Sequence, residues 1–250
     1  MEKPFSPGIQ LLILFGLIIL MGVVAQLVFS FILVSINTAG INDEILDSPW
    51  VLIGGGFCFQ LIAHFGSFFL FLKFTQQSFR EVIQIKPLEG KLVLLIPVLL
   101  IVCFLSVEFF GLVSNALFEA MNAHRFIDDE LMYQKKIAEI FTHTNPLRLV
   151  LSLISLAVLP AIGEELIYRG ILFSKLREAT SNFHFAALIS GIIFASVHQQ
   201  PMQLIPIAFM GVFLAYVYHY TKNIWYSITL HFLINAVQIS AFYFWPEVMV

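Results

Sequence analysis

Three short stretches late in the chain hold residue types that can move protons. Gly163-Glu164-Glu165-Leu166-Ile167-Tyr168-Arg169-Gly170 carries two carboxylates and a guanidinium. Phe194-Ala195-Ser196-Val197-His198 pairs an aromatic ring with an imidazole, and His231-Phe232-Leu233-Ile234-Asn235 pairs an imidazole with an amide. A spacing of four residues puts both side chains on one face of a helix with about 3.6 residues per turn. Glu165 and Arg169 are thus expected to form an ion pair, with the glutamate N-terminal, the favourable order. Glu164 points about 100° away around the helix and has no local partner.

Such a set suits water activation. Glu164 and His198 together can take a proton from water, and the resulting hydroxide can attack a peptide carbonyl. His231 and Asn235 can donate hydrogen bonds to the oxyanion that forms, each such donor being worth about 3–4 kcal/mol in other enzymes. Glu164, His198 and His231 are also a donor set that can bind zinc, but water attack needs no metal, and neither a metal nor another cofactor is expected.

The elements that must position these groups are membrane helices. Hydrophobic residues make up 59% of the chain and charged residues 12%, against about 25% charged in an ordinary soluble domain. A helix needs about 20 apolar residues to cross a bilayer. Apolar runs at 8–36, 50–72, 92–118, 147–176, 183–200, 203–220 and 223–245 satisfy that rule or approach it. The fold class is therefore all-α, a polytopic transmembrane helical bundle of seven to eight spans forming one integral membrane domain over 1–250. Its motif-bearing core lies at about 147–245. The first run is too long for a signal-peptide core and reads as a retained first span.

A turn near Thr180 would bring Glu164 and His198 to similar depths, about 25 Å along their helices, and Asn235 lies about 18 Å beyond a turn near Asn223. Ionisable groups in hydrocarbon are costly, so the three polar faces are expected to meet. Lysine and arginine placement, with Lys3, Lys73, Arg80, Lys86, Lys91, Arg169, Lys175, Arg177 and Lys222 on one side, puts the N-terminus in the cytoplasm. The opposite loop Asn37–Pro49 carries Asp43, Glu44 and Asp47 and no basic residue. Asp128–Ala138 reads as an amphipathic surface helix, with a lid or substrate gate as the sharper alternative. Cys58 and Cys103 read as free buried thiols. His64 is expected to make a satisfied polar contact between helices, and Glu108 either pairs with a base or lines a cavity. Tyr168, His219 and Tyr243 read as interface or packing residues. The net charge of -3 gives no reason to expect nucleic acid.

Together, the Glu-Glu-x-x-x-Arg, Phe-x-x-x-His and His-x-x-x-Asn runs resemble the three motifs of the CAAX protease and bacteriocin-processing family, also called CPBP or Abi. All three are complete, in the family's order, within about 147–240. The resemblance implies an intramembrane glutamic endopeptidase, commonly of eight spans. It implies that Glu164 is the catalytic glutamate and His198 the histidine that helps activate water. It assigns oxyanion stabilisation to His231 and Asn235, and support of the site to Glu165 and Arg169, while Phe194 opens the second motif. The family's eukaryotic members trim prenylated CAAX proteins, so the expected partners are the bilayer and a peptide or membrane-anchored protein substrate. The oligomeric state is open. A zinc-type His-Glu-x-x-His, a Gly-x-Ser-Gly at Ser190 and a Gly-x-Gly-Asp are all absent. The rival reading is a non-proteolytic membrane scaffold that keeps the fold to bind a partner. A transporter is the weaker third reading, with no inverted repeat to favour it.

Overall fold

The computed structural model describes residues 5–38, 49–141 and 145–245. The acidic loop residues Asp43, Glu44 and Asp47 lie outside the described residues. All regular structure among the described residues is helical. Helix α1 is Pro7–Thr38. Helix α2 runs from Pro49–Phe59 through a π-helical stretch, Gln60–Phe65, into Gly66–Thr75. After the short turns Phe79–Val82 and Gly90–Val93 come α3, Ile96–Ala120, and α4, His124–Phe141. Helix α5 is Pro146–Thr180, with π-helical stretches at Ile154–Val158 and Leu166–Phe173. Helices α6, Phe183–Ser196, α7, Leu204–Thr221, and α8, Ile224–Phe244, complete the bundle.

Among the described residues, six helical segments are long and apolar enough to cross a membrane: Pro7–Ile36, Ile53–Thr75, Gly90–Ala120, Pro146–Thr180, Pro201–Thr221 and Ile224–Phe244. The protein is a polytopic helical membrane bundle. The expected number of spans is approximate, because the fifth apolar run forms the shorter helix Phe183–Ser196. Val197 and His198 form a turn and Pro201 opens a separate short 3-10 turn, so the run expected to reach residue 200 stops early. Proline lacks the N–H that continuing the helix would use.

Outward faces are apolar, as lipid requires, with Leu12, Phe31, Leu105 and Leu112 more than three-fifths exposed. Among helices already in lipid the hydrophobic effect gives little further drive to pack, so close backbone approach and polar contacts hold the bundle together. Helices α6 and α7 meet at Gly191 and Gly211. A Cβ on Gly191 would lie 2.7 Å from the Ala208 carbonyl oxygen and 2.8 Å from the Val212 nitrogen, so this crossing tolerates no side chain. Serine hydroxyls tie other helices together: Ser67 Oγ donates to Leu17 O, Ser155 Oγ to Ile53 O and Ser190 Oγ to Tyr168 O.

The segment after α2 crosses the α7–α8 turn. The Ile224 N–H donates to Gln84 O and Asn223 Nδ2 to Lys86 O. Lys86 and Arg177 crowd Lys222 electrostatically, and Lys222 adopts a left-handed backbone with φ 52°. The amphipathic helix expected at 128–138 is present within α4. Its Glu130 accepts from Gln203 Nε2 at 3.0 Å, which ties it to the turn before α7. Both cysteines are free; Cys103 is buried and Cys58 partly so.

Candidate functional site

Helix α5 carries the centre of the site, and its irregular geometry begins with its sequence. In an unbroken α-helix the Leu156 carbonyl would accept from the N–H of residue 160, but that residue is Pro160. The helix passes through a π-helical stretch just before this point, and such stretches occur mostly as local bulges, frequently at functional sites. Asn235 Nδ2 on α8 donates to Leu156 O at 3.3 Å. One N–H of the amide expected to serve an oxyanion is therefore committed to a carbonyl that proline leaves without its usual donor.

Glu165 and Arg169 form the expected ion pair, wholly buried, with Arg169 NH1 2.8 Å from Glu165 Oε1. It is a charge contact rather than an aligned hydrogen bond. Arg169 NH2 donates to Gly211 O at 3.1 Å, and the guanidinium lies over the Phe194 ring at 4.7 Å. Arg169 is thus an interior residue, as its place inside an apolar run also suggests, and it drops out of the basic residues counted toward the orientation. His231 Nδ1 donates to the same Glu165 oxygen at 3.0 Å. Glu165 therefore orients both a cation and an imidazole.

That orientation turns the other face of His231 toward Glu164, with Nε2 3.8 Å from Glu164 Oε2. Glu164 is buried, and it feels His64, His231 and His198 electrostatically. His198 sits in the turn after α6 and hydrogen-bonds through Nδ1 to Phe194 O at 2.6 Å. Because a carbonyl only accepts, Nδ1 carries a proton, so in the neutral ring Nε2 is the nitrogen with the lone pair. Phe194 holds the groups together. Its ring meets Tyr168 at 5.0 Å, His198 at 4.7 Å and His231 at 5.9 Å between centroids. Tyr168 and His219 are packing residues as expected, His219 lying flat on Phe183 at 4.0 Å.

The structure thus brings Glu164, Glu165, Arg169, Phe194, His198 and His231 together, and ties Asn235 to the backbone beside them. Two further residues come from α2, which carries none of the three motifs. Gln60 Nε2 donates to Glu164 Oε1 at 3.1 Å, and His64 lies one turn further along. His64 is buried, but its Nδ1 has no hydrogen-bond partner among the described residues, so the satisfied contact expected of it is not made at that atom. Gln60 was legible only as a lone amide in an apolar run. Glu108 is exposed on the outer face of α3 beside Leu105 and Leu112. Among the described residues, no three His, Cys, Asp or Glu side chains are grouped so as to hold a metal ion.

Residues 146–237 match the family model described as type II CAAX prenyl endopeptidase Rce1-like. That stretch, 92 of the chain's 250 residues, is similar to the Rce1-like family. It contains all three motifs and the helices that carry them, as the resemblance read from the motifs implies. A Bacillus subtilis (strain 168) protein named "Putative membrane peptidase YdiL" is 41% identical over 91 residues, covering 36% of this chain and 35% of that protein. The match thus spans about a third of the relative's length. No solved structure matches the chain. Gln60 and His64 lie outside the Rce1-like stretch.

Proposed function

We propose that this chain is an intramembrane endopeptidase that hydrolyses a peptide bond with a water activated by Glu164. The observation carrying the proposal is the setting of Glu164. It is a buried carboxylate faced by imidazoles, while its neighbour Glu165 takes the arginine. Glu164 Oε2 accepts the proton of a water that the Nε2 lone pair of His198 helps to hold. The oxygen adds to the scissile carbonyl, and the oxyanion is met by His231 Nε2 and the second N–H of Asn235. For His231 to donate there while its Nδ1 donates to Glu165, both ring nitrogens must carry a hydrogen. The proton held by Glu164 then passes to the departing amine, and no covalent intermediate forms.

The substrate is a peptide or protein anchored in the membrane, such as a prenylated CAAX-type chain or another membrane-associated peptide. The N-terminus and the Lys86, Arg177 and Lys222 end of the bundle face the cytoplasm, following the excess of basic residues there.

The test is to incubate purified protein in lipid nanodiscs with a library of membrane-anchored peptides in the presence of hydroxylamine. Products ending in free carboxylates are expected by mass spectrometry. Hydroxamate products would reveal a covalent acyl intermediate and overturn the mechanism. Peptides that are captured but never cleaved would favour the scaffold reading.

A further inference from the structure

Gln60 and His64 lie one turn apart in the π-helical stretch of α2, and both side chains are more than nine-tenths buried. Gln60 spends its amide N–H on Glu164, and its Oε1 is left without a hydrogen-bond partner among the described residues. His64 Nδ1 is in the same position. Leaving one buried polar atom unpaired costs about 1–3 kcal/mol, and here two such atoms lie on one helix face beside Glu164.

The packing brings that face against the first motif. A Cβ on Gly163 would lie 3.0 Å from His64 Cβ, 3.3 Å from the Phe65 ring and 3.4 Å from Gln60 Oε1. Glycine lets α2 lie flush against α5 at the residue before Glu164. An unpaired acceptor and an imidazole nitrogen able to donate are together the complement of one extended residue, whose own N–H and carbonyl point to the same side.

We propose that Gln60 and His64 form the main-chain binding subsite for the peptide that is cut. Gln60 Oε1 accepts from a substrate N–H and His64 Nδ1 donates to a substrate carbonyl. Gln60 is in addition a positioning residue, fixing the Glu164 carboxylate through its own N–H. This deepens the endopeptidase reading and rests on it for the identity of the ligand. It places part of the site in a helix outside the Rce1-like stretch, so both halves of the chain build it.

The test measures binding separately from turnover. Full-length Glu164→Gln protein in nanodiscs is challenged with the membrane-anchored peptide library, and with the same library N-methylated along the backbone. Gln60→Met and His64→Ala added to that background are expected to weaken peptide retention about tenfold. His64→Asn, whose amide nitrogen falls near the position of Nδ1, is expected to regain much of it. N-methylated peptides are expected to bind the Glu164→Gln protein about as weakly, with little further loss when Gln60→Met is added. The N-methyl comparison needs no α2 variant, so a folding failure in one does not obscure the result. Unchanged retention by both variants, indifference to N-methylation, or no retention by any protein would overturn the subsite. Retention without cleavage by the unmutated protein would instead remove the endopeptidase reading and leave the subsite standing.

Discussion

Replacing Asn235 by alanine separates two jobs that one side chain does. Its Nδ2 donates to the Leu156 carbonyl at 3.3 Å, and that carbonyl lacks its usual donor because residue 160 is proline. Removing the amide takes the side-chain donor away from that carbonyl inside the bundle. Hydrogen bonds between membrane helices average about 0.6 kcal/mol in mutant cycles, with a maximum of about 1.7. Because proline denies this carbonyl its usual i+4 donor, Asn235→Ala should cost about 1 kcal/mol, roughly a fivefold shift in the unfolding equilibrium. Pro160→Ala supplies an N–H at position 160, so in the double variant that loss should largely disappear. The readout is unfolding in detergent micelles for the four proteins of the cycle, with coupling taken as the non-additive part. Peptide cleavage by the same proteins gives the second axis. Stability should return with Pro160→Ala while cleavage does not, because the other N–H of Asn235 is still missing from the oxyanion. Additive stability changes would refute the link between Pro160 and Asn235, and restored cleavage would remove the oxyanion role.

Other changes bear on the same frame. Arg169→Met leaves Glu165 buried without its cation and should destabilise the protein by about 3–5 kcal/mol, read as early thermal aggregation; adding Glu165→Met should recover most of that. Gly191→Ala drives a methyl into the Ala208 carbonyl and Val212 backbone. It should cost about 1–3 kcal/mol, with loss of cleavage because Gly211 and Phe194 shift together. Lys222→Gly should stabilise the α7–α8 turn by about 1 kcal/mol, since glycine adopts a left-handed backbone without penalty. Part of the gain is electrostatic, and its sign follows from the ammonium. Burial, then Arg177 and Lys86, hold Lys222 below its ordinary value in the folded protein, so the unmutated protein gains stability as pH rises toward the unfolded lysine value. The advantage of Lys222→Gly over it should therefore shrink on going from neutral pH to about pH 10, measured as the difference in thermal midpoint.

Much of the frame is legible in the residues. Apolar runs mark the helices because lipid demands about 20 such residues per crossing, and α5, α7 and α8 begin or end within a few residues of where the runs do. The Glu165–Arg169 pair follows from a spacing of four, which survives the change from α- to π-helical winding at Leu166. Two things are not written in spacing. Residue 198 lies beyond the end of α6, and what joins His198 to Phe194 is a ring contact and a carbonyl rather than a shared helix face. The contribution of Gln60 and His64 depends on which helix packs over Gly163, a tertiary choice that a lone glutamine in an apolar run does not announce. The Leu156–Asn235 bond stands between these cases: Pro160 is visible and its consequence is deducible, but the identity of the donor is not.

The most direct test of the central claim is the single-turnover rate of cleavage of one membrane-anchored peptide by excess enzyme, compared between the unmutated protein and Glu164→Gln. Glutamine keeps the shape and can still accept from Gln60 but cannot take a proton from water. A loss of about 10²–10⁴-fold is predicted, the range expected for removing a general base, with peptide binding retained. A Glu164→Gln rate within a few-fold of the unmutated protein would contradict the account, because another group would then be activating the nucleophile.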